Sequence, residues 1–209
     1  MNLNRLPDGR VRRAIEDLQA GKIIIVLDDA DRENEGDFLC AGQFAGPDVV
    51  NLMAVHGRGL ICATITEKRA KELDLPPQTG TVSALHGTNF TVSVDAVEGT
   101  TTGISAADRA KTISVLCDPD ARPDALGRPG HMFPIVAHAE GLSARRGHTE
   151  ASVWLCEAAG LYPVGIICEI ISEDGTMARG RELEQIAERF GMHMVHVDEI
   201  AAAAQLTGE

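Results

Sequence analysis

The 209-residue sequence predicts an α/β (α+β) protein: one domain with helices and strands layered around a mixed β-sheet. Three observations carry that reading. Strand-like apolar runs alternate with helical periodicity along the chain. Gly and Pro punctuate the junctions between them. No repeat, low-complexity tract or linker-like stretch divides residues 1–209 into smaller units.

In chain order, Val11, Ile15 and Leu18 recur at helical spacing, and Gly21 closes that helix. "KIIIVLD" follows as a buried strand and "FLCAG" as a second. "GPDVVNLMAVHG" opens a helix with Pro47 near its first position, where the missing N–H costs nothing. "GLICATI" is the next strand, and Thr66 caps the helix of "TEKRAKELDL" before Pro76 and Pro77 open a loop. "NFTVSVDA" alternates like a half-buried strand. The Gly/Thr loop of "GTTTGISAADRAKTISVL" delivers a helix, with Ser105 and Asp108 spaced as a capping box. Residues 118–131 are rich in turn formers and are expected to be irregular. "HMFPIVAHA", "VGIICEII" and "HMVHV" complete the strands, separated by helices at roughly 149–160 and 179–190, the latter closed by Gly191.

Composition narrows the function. Hydrophobic residues make up 44% of the chain, enough for a real core, whereas aromatics are only 3% and offer no stacking platform for nucleic acid. A formal net charge of −12 argues against nucleic acid and anionic membranes. A small phosphorylated ligand stays compatible where arginines, a helix N-terminus or a divalent cation reverse the local field. The five cysteines are an odd, widely spaced set with no CxxC pair and read as small core hydrophobes in a reducing, cytoplasmic compartment. No run approaches a membrane span, and the N-terminus has no apolar leader pattern.

Three segments carry chemistry. "LDDADRENEGDFL", residues 27–39, packs six acidic side chains and one arginine into ten residues directly after a strand. Carboxylates on such a turn suit a hard cation or acid/base work. An EF-hand loop is excluded, because aligning Asp31, Glu33 and Glu35 as its first ligands puts Gly42 where a bidentate Glu is required. A solvated surface turn remains the bland alternative. "SARRGHTEASVWL" places Arg145, Arg146, His148 and Thr149 before a helix, so arginine and a helix N-terminus form a ready anion site. A basic cap neutralised by nearby carboxylates is the competing reading. In "PVGIICEIISEDG", counting by twos puts Val164, Ile166, Cys168 and Ile170 on one face and Gly165, Ile167, Glu169 and Ile171 on the other. Glu169 is thus an acid embedded in an apolar strand, suited either to a perturbed general base or to a buried ion pair.

Weaker signals are His131 in "RPGHMFPIV", the hydroxyl-rich "EGTTTGIS", and His193 and His196, which strand alternation turns to opposite faces and which are read as non-ligands. These pieces converge on a divalent-metal enzyme acting on a small phosphorylated or carboxylated substrate.

"DDADRENEGD", "GTTTGISAADRA", "RPGHMFPI", "RRGHTEA" and "GIICEI", in this order, resemble 3,4-dihydroxy-2-butanone 4-phosphate synthase of riboflavin biosynthesis from about residue 8 to residue 200. The resemblance implies a single synthase domain over residues 1–209, folded as a three-layer sandwich around a mixed sheet. It also implies a cytoplasmic homodimer with active sites at the subunit interface. The implied reaction is a Mg2+-dependent lyase step, Mn2+ being a possible substitute, that converts D-ribulose 5-phosphate to L-3,4-dihydroxy-2-butanone 4-phosphate and formate. Carried over by position, Glu33 and His148 are the metal ligands, and Arg32, Glu33 and Asp37 contact substrate. Arg145, Arg146, Gly147, His148 and Thr149 hold the phosphate and sugar backbone, Thr102 and Glu169 also contact substrate, and Glu169 and His131 are essential catalytic positions. Thr102 and Cys62 lie near the site, Glu35 is a candidate for proton transfer, and Asp28, Asp29 and Asp31 have no assigned role. Some relatives fuse the synthase to a GTP cyclohydrolase II domain, of which no trace is expected before Glu209. Two rivals remain: a metal-dependent sugar-phosphate isomerase or aldolase, and a regulatory or RNA-binding module, which the charge disfavours.

Overall fold

The chain is described here by a computed structural model, covering residues 9–28, 32, 34–79 and 87–208. Its strands are β1 (Ile24–Leu27), β2 (Gly36–Ala41), β3 (Cys62–Ile65), β4 (Val94–Ala96), β5 (Leu126–Val136), β6 (Gly165–Glu169) and β7 (Met194–His196). Among the described residues they form one seven-stranded sheet of order β4-β5-β3-β6-β2-β1-β7. The β1/β7 and β3/β5 pairs are parallel and the rest antiparallel, so the sheet is mixed as expected.

Both faces of the sheet are covered, which is why its central strands read as continuous apolar runs. Ile25, Phe38, Ala63 and Ile166 point into one core, closed by α2 (Pro47–Leu52), α3 (Glu67–Glu72), α4 (Ala106–Cys117) and α7 (Arg181–Phe190). Their strand neighbours Ile24, Leu39, Cys62 and Ile167 point into a second core, closed by α1 (Arg10–Gln19), α5 (Gly141–Ala144), α6 (His148–Ala158) and α8 (Val197–Thr207). The period-two alternation of the strands therefore divides the molecule into three layers. It also assigns Glu169, which alternates with Cys168, to the α6 face.

Local rules set the helix ends. Pro47 is the first residue of α2, which runs on through a π-helical turn at Met53–Gly57 and stops at Arg58 in the left-handed region. The Thr66 hydroxyl accepts the Arg69 N–H, and the Ser105 hydroxyl accepts the Asp108 N–H. Gly191 closes α7 with φ 65°. Arg69, buried at 2% exposure, donates to the carbonyls of Leu116, Val115 and Asp118 and so anchors the C-terminus of α4. No helix among the described residues is long and apolar enough to cross a membrane.

The structure departs from expectation in three places. The segment 118–131 is not irregular throughout, since β5 already begins at Leu126. Val94 pairs with Met132 while Asp95 pairs with Gly127, so residues 128–131 form an excursion that absorbs Pro129 and Gly130 at a register shift. "NFTVSVDA" is a regular strand only over Val94–Ala96, with single bridges at Phe90 and Thr91. The Ala-rich helix α8 was not foreseen. Its weakly amphipathic sequence is held by packing of Ile200, Ala201 and Ala204 in the second core.

Candidate active site

The strand register brings distant motifs to one edge of the sheet. Asp37 at the start of β2 lies opposite Glu169 at the end of β6. Cys62 at the start of β3 is opposite Ile167 on one side and Phe133 on the other, two residues beyond His131. Asp37 and Cys62 share their sheet face with Glu169. On that face, α6 is seated by a 2.7 Å hydrogen bond between the Ser152 and Thr64 hydroxyls. Its first residue, His148, thereby reaches the Asp37 carboxylate, with Nδ1 3.9 Å from Oδ1. Both of these side chains are buried.

Glu169 Oε2 accepts the Leu60 N–H at 2.8 Å, which turns the carboxylate along the rim rather than into the core. The acid is half-buried, and its approach is shaped by Gly59. A Cβ there would stand 2.5 Å from the Glu169 carbonyl and 2.6 Å from Oε2.

The acidic loop divides by role. Asp28, without a role in the sequence reading, is buried and closes the turn between β1 and β2. Its Oδ1 accepts the Glu35 N–H at 2.7 Å, and its Oδ2 accepts Nη1 of Arg32 at 2.7 Å. Arg32 is thus aimed by its fourth upstream neighbour. Glu33, the expected metal ligand, lies outside the described residues, as do Asp29 and Asp31.

At the start of α6 the helix cap is Gly147, and His148 and Thr149, read from the sequence as lying before the helix, are its first two residues. Arg145 Nη1 donates to the buried Glu150 at 2.7 Å and Nη2 to the Thr88 hydroxyl at 3.2 Å, while the other Glu150 oxygen accepts the His138 N–H. Arg146 pairs with Asp198 at 2.9 Å on the surface. The carboxylates of the competing basic-cap reading are therefore present. Glu150 also fixes the plane of the Arg145 fork beside the α6 N-terminus. Thr149 is buried in the first turn.

His131 is exposed and paired with Asp95, which sequence reasoning missed: Nδ1 stands 2.7 Å from Asp95 Oδ2. The adjoining loop 99–105 is clipped down by Asp108, whose carboxylate accepts the Thr101 hydroxyl and the N–H groups of Thr101 and Gly103. This leaves Thr102 exposed at the loop surface. These bonds, the Thr101 hydroxyl first, hold the Asp108 carboxyl below its ordinary value of 3.8. A depressed folded-state value stabilises the loop fully above the unfolded value and loses that stabilisation as pH falls through the folded one. Amide exchange at Thr101 and Gly103 is therefore expected to be protected at pH 6 and to accelerate relative to core amides below about pH 3.8. Equal relative protection at both pH values would contradict the clip.

Burial pushes the Cys62 thiol well above its usual range, and the charges of Glu169 and Asp37 add to the effect. Cys40, Cys117 and Cys168 are likewise raised to about 12, and Cys156 is also raised. Buried beside the Asp37 and Glu169 carboxylates, the Cys62 side chain is held in its neutral thiol form. Iodoacetamide at pH 8 is expected to leave all five thiols unmodified in the folded protein and to label them after denaturation, as read by mass spectrometry.

Among the described residues, no group of three His, Cys, Asp or Glu forms a complete cation site. What is present is the buried His148 imidazole beside the Asp37 carboxylate, so one donor suited to a divalent cation lies in acidic surroundings that favour positive charge. A separate cavity of about 650 Å3, lined by Trp154, Glu157 and Ala204, meets the Arg145 arrangement through Glu150 and His138.

Comparison with known proteins identifies the family. The sequence profile described as 3,4-dihydroxy-2-butanone 4-phosphate synthase matches residues 12–203. The chain is 53% identical over 188 residues to the riboflavin biosynthesis protein RibBA of Cytophaga hutchinsonii, covering 90% of this chain and 46% of that protein. It is 50% identical to RibBA of Aquifex aeolicus, covering 91% and 47%. The chain thus spans about half the length of these curated relatives. Among solved structures it superposes on RibBX, a two-domain synthase from A. baumannii, with TM-score 0.91 and 42% identity, covering 96% of this chain and 59% of that one. A synthase in complex with two magnesium ions superposes with TM-score 0.90 and 40% identity, covering 95% and 98%. On its sequence and its fold, the chain belongs to the 3,4-dihydroxy-2-butanone 4-phosphate synthase family.

Proposed function

We propose that this chain acts as a single synthase domain that converts D-ribulose 5-phosphate to L-3,4-dihydroxy-2-butanone 4-phosphate and formate. One observation carries the reading: Glu169, Asp37 and His148, drawn from three separated motifs, meet on one face at one edge of the sheet. Family membership and a relative bound to two magnesium ions support it.

The chain's own groups suit the proton traffic of this reaction. Substrate phosphate lies against the N-terminus of α6 between Arg145 and Thr149, where the helix dipole and the oriented guanidinium favour an anion. Arg32, Glu33 and Asp37 contact the sugar hydroxyls. Glu169, held at the rim by the Leu60 N–H, accepts and returns protons on the carbon skeleton. His131 serves a second proton transfer, and Thr102 borders the same space. After enolisation, the skeleton loses its C1 hydroxyl as water and C1 takes up a proton to become a methyl group; C5 then migrates to C3, and a water molecule adds to C4, which leaves as formate. Glu33 and His148 hold Mg2+, with Mn2+ as substitute, and the cation supplies electrostatic stabilisation of oxyanions. We place the active enzyme in the cytoplasm as a homodimer with its sites at the interface, consistent with five free thiols and with the exposure of His131 and Thr102.

The test is formate release from D-ribulose 5-phosphate with and without Mg2+, alongside light scattering for the dimer. Stoichiometric formate that disappears with EDTA is the expected result. Consumption of the ketose without formate would instead identify an isomerase or aldolase.

A further inference from the structure

Three elements of the fold converge on the His131 side chain, and one carboxylate joins them. Asp95 of β4 uses both of its oxygens on the same residue. Oδ1 accepts the His131 backbone N–H at 2.8 Å, and Oδ2 lies 2.7 Å from ring Nδ1. The first contact pins the strand and the second pins the ring. This grip exists because of the register shift between Val94 and Asp95, which ends the 128–131 excursion of β5 with His131 directly over the Asp95 carboxylate.

The third element is the loop before α4. Gly103 has φ +89° and packs so closely on the pair that a Cβ would fall 2.0 Å from Asp95 Oδ2 and 2.5 Å from His131 Nδ1. Its N–H is bonded to Asp108, so the loop is held against the pair rather than resting there. The Asp95 side chain is 19% exposed, whereas that of His131 is 44% exposed. The bonded side of the imidazole is sheltered and the other side faces outward.

We infer that Asp95 is the positioning residue for His131, fixing the imidazole as the Nδ1–H tautomer with Nε2 presented outward as the proton acceptor. An ionised carboxylate can only accept, so the hydrogen shared with Oδ2 belongs to Nδ1. In the neutral ring, Nε2 then carries the lone pair. The imidazolium that forms when Nε2 takes a proton is stabilised by the same carboxylate. Asparagine at position 95 changes the sign of this arrangement. Its amide N–H can donate to Nδ1, which moves the ring hydrogen to Nε2 and removes the base. The inference rests on the proposed role of His131 in turnover.

The experiment uses the full chain with Asp95→Asn, Gly103→Ala and His131→Ala. Formate release is measured together with two-bond 15N–1H spectra of the histidine rings, the His131 signals being assigned by their loss in His131→Ala. The wild-type protein is expected to show His131 as the Nδ1–H tautomer. Asp95→Asn and Gly103→Ala are both expected to lose that signature and to lower kcat by about 10²–10⁴-fold, with KM for the ketose changed far less. Gly103→Ala leaves both partners chemically intact, so it tests the geometry even where Asp95→Asn perturbs folding. An Nε2–H tautomer in the wild-type protein, or wild-type kcat in both variants, overturns the inference. Absence of formate from the wild-type protein overturns the proposed function instead, and the tautomer readout still decides the pairing.

Discussion

Glu169→Gln is expected to lower kcat for formate release by about 10²–10⁴-fold, the range for losing a general acid–base group. Glutamine keeps the volume of the side chain, and its carbonyl can still accept the Leu60 N–H that holds Glu169 at the rim. The variant should therefore melt like the parent and bind substrate with a similar KM, losing only the ability to ionise. A kcat within a few-fold of the parent would remove Glu169 from the proton transfers. Gly59→Ala approaches the same carboxylate from outside. The added Cβ meets the Glu169 carbonyl and Oε2 at 2.5 and 2.6 Å, and the carbonyl is backbone that cannot swing aside. Reduced kcat should then come with destabilisation of about 1–3 kcal/mol, the usual cost of overpacking. Thermal melts separate the two effects.

The second large effect is expected at the cation site. His148→Ala and Glu33→Ala should each reduce Mg2+-dependent turnover by more than about 10²-fold, the scale of losing one transition-state stabilising contact. His148 makes no side-chain cap to α6, whose N-cap is Gly147, so the helix should survive the change. Far-ultraviolet circular dichroism is expected to match the parent, while Mn2+ binding followed by electron paramagnetic resonance weakens in both variants. Parent-like Mn2+ affinity in both would exclude these residues as ligands. Asp37, 3.9 Å from His148, makes a useful companion: Asp37→Asn should weaken cation binding less than His148→Ala if Asp37 mainly contacts substrate.

Much of the candidate site was legible because its chemistry violates local expectation. Glu169 stood out as an acid in an apolar strand, and the strand parity that placed it on the face opposite Cys168 is the parity observed. Asp95 offered the same signal at the end of "NFTVSVDA" but lacked a visible partner, since His131 lies 36 residues away. Asp28 looked like one more acid in a crowded turn. Its burial and its two bonds, to Arg32 and to the Glu35 N–H, follow from the β1/β2 hairpin rather than from the turn's composition. Arg145 and Arg146 were readable as an anion site or as a neutralised cap, and local sequence had no means of choosing. Glu150 and Asp198 are found beside them only once α6 and α8 have packed.

By itself, the sequence determined what depends on short-range physics. The alternation of strands defines two buried faces, Pro47, Thr66, Ser105 and Gly191 mark helix ends, and the acidic turn and the RRGHTEA helix start are candidate sites. Only the tertiary structure decided which distant residues meet. Register across β5, β3, β6 and β2 aligns His131, Glu169 and Asp37 along one edge, and the seating of α6 through Ser152 and Thr64 brings His148 to Asp37. A strand's periodicity says which way each side chain faces, but register arises from pairing with strands up to a hundred and more residues away. That long-range pairing has no local signature.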